Sequence, residues 1–164
     1  SADCDITQPD VLRVAIQQSQ PDEIYHLAAQ THVGESAQAE AATMAVNLQG
    51  TKNLLETAQR ETPSAKIFFA SSSEIFGRPE EVPQTETTPL NPINPYGVSK
   101  ARATEAVRAA RATGCYAVNG ILYNHESPRR GANFVTQKIC QAAAAIARGE
   151  QSELKLGDTA AARD

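Results

Sequence analysis

Three short apolar runs, each rich in β-forming side chains and each bracketed by stretches of helical periodicity, constrain the fold of this chain more than any other feature. The runs are Glu23 to Ala29 (EIYHLAA), Lys66 to Ala70 (KIFFA) and Tyr116 to Tyr123 (YAVNGILY). Between the first two, residues 38–60 read as a long Ala-rich helix whose apolar face holds Met44, Leu48, Leu54, Leu55 and Ala58. Between the second and third, a helix beginning after Pro95 carries Tyr96, Lys100, Ala103, Ala106 and Val107 and stops at Gly114. A further helix precedes the first run: Thr7 supplies a hydroxyl cap, Pro9 and Asp10 fill the first turn, and Val11, Leu12, Ala15 and Ile16 recur at helical spacing. Another spans Phe134 to Arg148 and ends at Gly149, with Leu154 to Leu156 as a short strand beyond it. Strands alternating with helices in this way predict an α/β fold, doubly wound, with a mainly parallel sheet.

In such a sheet the chemistry collects at the carboxyl ends of the strands. The central run ends directly in Ser71, Ser72 and Ser73 followed by Glu74, so hydroxyls and a carboxylate stand at that edge. On the next helix Tyr96 and Lys100 are four residues apart, which places a phenol and an ammonium on one face about one turn apart. The cation favours the phenolate, so a group whose unperturbed pKa is about 10 is drawn toward neutral pH, where it can take a proton from an alcohol. Tyr96 is therefore the candidate general base of a hydroxyl group. Taken alone, Tyr-x-x-x-Lys also describes two ordinary residues on a helix; the Ser-Ser-Ser-Glu run just before it gives the pair a partner.

Several positions carry two readings. Ala28 and Ala29 are small, as backbone must be where a cofactor lies against it, and also as simple packing demands. Gly50 inside the long helix costs about 1 kcal/mol against Ala and predicts close approach of another backbone there. Arg129 and Arg130, after the third strand, are either a bidentate phosphate holder or an exposed pair. His26 and His32 have no carboxylate or second His at ligand spacing and read as core or edge histidines, and no metal site is expected. The segment 77–95, with five prolines and three glutamates, reads as a surface loop with solvated acids.

The strand-end Ser and Glu followed by Tyr-x-x-x-Lys resemble the extended short-chain dehydrogenase/reductase family. Within it the runs SSSEIFG and NGILYNHESPRRG are similar to those of the GDP-mannose 4,6-dehydratases. The resemblance implies a Rossmann-like fold, incomplete at both ends. Residues 1–164 would be part of an NADP-binding domain carrying the catalytic set and the start of the nucleotide-sugar part, without the first βαβ unit or most of the substrate domain. No G-x-x-G-x-x-G loop occurs in the sequence, and on this reading the 164 residues alone are inactive. The implied reaction converts GDP-mannose to GDP-4-keto-6-deoxymannose with NADP as cofactor. Ser72, Glu74, Tyr96 and Lys100 would be catalytic. Asp5, Ile6, Leu27, Ala28, Ala29, Gln30, Thr31, Lys100, His125 and Arg130 would meet the cofactor, Asn124 and Arg129 the nucleotide sugar, and Asn47 would lie under the active site or on a plain polar face. Two departures stand out: Ser72 replaces the usual Thr, and residues 34–43 are Ala-rich where the family carries a Phe, a Pro and a Tyr near the cofactor. The alternatives are another dehydratase or a 4-epimerase of the same family, or a catalytically silent truncated domain; an epimerase needs no base at position 74.

Charge and cysteine usage exclude other classes. A net charge of −4 without basic runs argues against nucleic-acid and membrane-surface roles. Cys4, Cys115 and Cys140 are far apart with no C-x-x-C, which suits a reducing cytoplasm rather than a disulfide framework. No run approaches the ~20 apolar residues of a membrane span. A homo-oligomer is expected of the full-length protein.

Overall fold

The structure, a computed structural model, describes residues 4–157 and 159–160; the other positions of the expected 1–164 domain lie outside the described residues. The chain divides after Leu122 into two compact units. In chain order the first holds α1 (Pro9–Ser19), β1 (Glu23–His26), α2 (Val33–Ser36), α3 (Glu40–Met44), a π-helical turn (Ala45–Gln49) and α4 (Gly50–Glu61). β2 (Lys66–Ala70), a 3-10 turn (Ser73–Ile75), α5 (Pro95–Ala112) and β3 (Ala117–Gly120) follow. The second unit is built around α6 (Val135–Ala147).

The three strands form one parallel sheet in the order β1-β2-β3, with Ile24 opposite Ile67 and Ile67 opposite Ala117. Both crossovers advance in the same direction across the sheet, so right-handed connection places α4 and α5 on the same face. The alternation of each strand follows from this. Ile67, Phe69, Ala117 and His26 are buried, whereas Tyr25 on the other face is 65% exposed. The core joins Leu12 and Ile16 of α1, Leu54, Leu55 and Ala58 of α4, Ile67 and Phe69 of β2, and Ala103 and Val107 of α5. Burying a side chain such as Ile67 or Phe69 contributes about 1.5–3 kcal/mol.

Boundaries differ from the sequence expectation where another partner replaces the ladder. β1 stops at His26 rather than Ala29, because beyond it the Asn47 side chain takes over both backbone groups of Gln30, Oδ1 accepting from the amide at 2.9 Å and Nδ2 donating to the carbonyl at 3.0 Å. β3 is shorter than residues 116–123, although Ser73 N still donates to Leu122 O at 2.9 Å beyond its end. The expected 38–60 helix is present with a π turn in its middle. At Gly50 the close neighbour is a side chain, not a backbone: an added Cβ would lie 2.5 Å from Ile6 Cδ1. Thr7 does not cap α1. Its hydroxyl donates to Asp5 Oδ1 at 2.8 Å, and Gln8 occupies the cap position without a side-chain capping bond. Leu154 to Leu156 form no strand, since no described strand lies beside them. Gly114 ends α5 region at φ +97°, as its sequence position predicts. No helix of the described residues is long and apolar enough to cross a membrane.

Candidate functional site

The carboxyl end of β2 leads directly into the candidate residues Ser71 to Glu74. Ser71 is buried, and its hydroxyl meets Thr104 Oγ1 of α5 at 2.7 Å, which pins the strand end to that helix. Ser72 is extended and caps the following 3-10 turn, its Oγ accepting from Glu74 N at 3.3 Å. A short polar side chain at this place satisfies an orphan amide of the turn and so presents Glu74 at the sheet edge.

The start of α5 is fastened to the same turn. Asn94 is the cap: its Oδ1 accepts from Gly97 N at 2.7 Å, with Pro95 in the first helical position. The other end of the same amide, Nδ2, donates to Glu74 Oε2 at 2.9 Å. Gly97 permits the contact of backbones, because a Cβ there would stand 2.6 Å from the Glu74 carbonyl oxygen. Tyr96, adjacent to Gly97, is buried at 8% exposure. One turn later Lys100 is 2% exposed; its Nζ donates to Ala70 O at 2.8 Å and lies 4.8 Å from the Phe69 ring centre. Burial holds the Lys100 ammonium down at a pKa of about 8. The structure thus brings the Ser72–Glu74 turn and the Tyr96–Lys100 helix to one end of β2.

Beneath them runs a buried polar network. Asn47 sits in the π turn, a local widening of the helix that redirects a side chain, and its Nδ2 donates to Ser99 Oγ at 2.9 Å. Ser99 Oγ in turn donates to Tyr96 O at 2.7 Å. On the opposite side Thr51 Oγ1 donates to Asn47 O at 2.6 Å. With that hydroxyl proton committed, His26 Nε2, 2.9 Å from Thr51 Oγ1, is the donor of its bond. His26 is therefore a satisfied core histidine, as its sequence surroundings suggest; burial first, and the Lys100 charge second, hold its pKa down at about 4.

Other expected positions fall elsewhere. Asp5 is exposed and accepts from Thr7 N at 2.9 Å; that bond, Thr7's hydroxyl and Gln8 hold its carboxyl below the ordinary range. Ile6 packs beside the core. At the end of β1, Leu27, Ala28 and Thr31 are exposed and Ala29 and Gln30 half-buried. In the second unit Asn124, His125 and Arg129 are exposed, and His125 Nδ1 is 2.8 Å from Tyr123 O. Arg130 does not pair with Arg129: it faces Glu126 at 3.3 Å and stacks 3.8 Å above Phe134. No group of metal-ligating side chains occurs among the described residues. Asn94 was missed in the sequence, although Asn-Pro before a helix is a capping signature; what a cap's second amide group touches depends on a turn twenty residues away in the chain.

Solved structures with a similar fold include RMD from Pseudomonas aeruginosa complexed with NADPH, 30% identical with a TM-score of 0.86 over 96% of this chain and 53% of that one. DesIV, a dTDP-glucose 4,6-dehydratase from Streptomyces venezuelae with NAD bound, is 26% identical with a TM-score of 0.78 over 88% of this chain and 44% of its own. Fold and site together define a Rossmann-like α/β protein of the extended short-chain dehydrogenase/reductase class. The profile of the GDP-mannose 4,6 dehydratase family matches residues 2–164, and the chain belongs to that family. GDP-mannose 4,6-dehydratase of Vibrio cholerae is 44% identical over 163 residues, 98% of this chain and 44% of the relative. The Homo sapiens enzyme gives the same 44% identity, again over 98% of this chain and 44% of its own length. The chain spans about half the length of the curated relatives it matches.

Proposed function

We propose that the protein works as a GDP-mannose 4,6-dehydratase, oxidising C4 of the sugar to the ketone that the product keeps and removing water across C5 and C6. The observation that carries this reading is Glu74, held by Asn94 at 2.9 Å on the same strand end that Lys100 grips through Ala70 O. A carboxylate there adds a second base to Tyr96, and an epimerase has no use for it.

On this reading Tyr96 takes the proton of the 4-hydroxyl, with the Lys100 ammonium one turn away favouring the phenolate. NADP, when bound, would supply reversible hydride storage between C4 and C6 of the sugar. Once C4 is a ketone the C5 proton is acidic; Glu74 removes it as the 6-hydroxyl leaves and gives a proton back to C5 when C6 takes up hydride. The Ser72 hydroxyl helps the 6-hydroxyl leave as water. Lys100 also holds the nicotinamide ribose. The β1 end suits a dinucleotide: Ala28 is small and exposed, and Gln30 Oε1 is a buried acceptor with no hydrogen-bond donor among the described residues, which a ligand N–H or O–H would satisfy. Asp5, Ile6, Leu27, Ala29, Thr31, His125 and Arg130 are proposed to complete the cofactor site, and Asn124 and Arg129 to contact the nucleotide sugar. The free cysteines suit a reducing cytoplasm.

The test uses the protein expressed from its complete reading frame. Tyr96→Phe lowers turnover by ~10²-fold or more with the fold intact, as loss of a general base requires. Glu74→Gln stops solvent deuterium from entering C5 and abolishes the 6-deoxy product. Unimpaired turnover in the Phe variant, or deuterium entering at the normal rate in the Gln variant, removes the corresponding assignment.

A further inference from the structure

We infer that Asn94 is a positioning residue for Glu74, fixing the carboxylate for its work at C5 while capping the helix that carries Tyr96 and Lys100. The inference rests on the reading of Glu74 as the C5 base.

The orientation of the amide is not arbitrary. Gly97 N–H can only donate, so the Asn94 atom 2.7 Å from it must be the oxygen, and the NH₂ is left facing Glu74 Oε2 at 2.9 Å. One side chain thereby links the first turn of α5 to the 3-10 turn after β2, and the link is short because Gly97 lets the two backbones approach. A carboxylate base on a one-turn element has a rotatable stem with several rotamers, and the N–H donor at Oε2 restricts which of them it adopts. Placement is the larger part of what such a group contributes, since about 1 Å of displacement can cost ~10²-fold in rate.

Capping alone would also explain an Asn at this place, so the test separates the two roles. Asn94→Asp keeps an oxygen for Gly97 N–H and is as good a cap, but it replaces the donor facing Glu74 by an anion. Asn94→Ala removes both. With the protein from the complete reading frame, NADP and GDP-mannose, three quantities are read for each variant. They are melting temperature, C4 oxidation followed by the nicotinamide absorbance in a single turnover, and deuterium entry at C5.

N94D is expected to melt within about 2 °C of wild type, to oxidise C4 within about twofold of the normal rate, and to exchange at C5 at least ~10-fold more slowly, with kcat lowered and KM little changed. N94A is expected to lose exchange and to melt lower. Normal exchange in N94D overturns the inference, and so does a parallel loss of melting temperature and of both chemical steps, which is the pattern of a cap alone. Glu74→Gln run beside them separates the two claims. If it exchanges normally, the base reading falls and this inference with it; if it is silent while N94D is normal, only the positioning role is rejected.

Discussion

Two ionisable side chains of the first unit, His26 and Lys100, are removed from water, and burial moves both toward their neutral forms. For His26 the sign of the effect is definite. The unfolded chain takes up a proton near the ordinary pKa of 6.5, whereas the folded state resists until about 4, so the unfolded state binds more protons in that interval and stability falls as pH drops through it. The loss by pH 4 is about 3 kcal/mol from this residue. Urea unfolding at pH 6.5 and at pH 4 is expected to show that difference in wild type and a smaller one in His26→Gln, which keeps an N–H for Thr51. An equal pH slope in the two proteins would mean that His26 titrates normally in the fold. Lys100 keeps its ammonium buried at a cost that the Ala70 carbonyl and the Phe69 ring partly offset, the kind of local compromise expected where chemistry outranks stability. At this scale the convergence of Ser72 and Glu74 with Tyr96 and Lys100 at one strand end was legible in the sequence, because strand end and helical spacing are local properties. Asn94's grip on Glu74 and the His26–Thr51–Asn47 chain were hidden because each joins elements distant in sequence.

Among the elements, α5 is the one on which the site depends, and its first turn tolerates no added bulk. Gly97→Ala would set a methyl group 2.6 Å from the Glu74 carbonyl oxygen, which is backbone and cannot step aside without shifting the 3-10 turn. Overpacking of this kind costs about 1–3 kcal/mol. The expected result is a lower urea midpoint at unchanged m-value, together with slower C5 exchange because the turn carrying Glu74 has moved. An unchanged midpoint would show that the α5 start is free to retreat. In the first unit the three strands and the long helices were legible from apolar periodicity, whereas the short α2, the 3-10 turn and the element ends were not. The π turn is the clearest case: the apolar face of residues 38–60 reads the same with or without one widened turn, so nothing in the pattern announces it. Thr7 illustrates a second cause. A hydroxyl before Pro9 has the form of a cap, but the cap position falls one residue later, at Gln8, and the Thr7 hydroxyl donates to Asp5 instead.

For the molecule as a whole, the sheet presents two unlike faces. One is closed by the core helices; on the other the Tyr25 and Phe68 rings stand 6.1 Å apart, with Tyr25 and Leu27 more than 60% exposed. The two compact units were not separable in the sequence, since strand and helix signals continue past residue 122 without a linker-like change of composition.

The strand order also sets how this molecule must assemble in time. Every ladder among the described residues is parallel, so no hairpin among them can start the sheet, and each pairing waits for a whole crossover to close: Ile24 must find Ile67, and Ile67 must find Ala117. Of the three described strands β2 is the common partner of both encounters. A truncation in β2 weakens both of these encounters, and one in β1 weakens only the first of them. Ile67→Val is therefore expected to slow refolding by roughly two- to threefold, and Ile24→Val mainly to hasten unfolding, as stopped-flow chevrons would measure. The reverse partition would place the nucleus at the margin of the sheet instead of its centre.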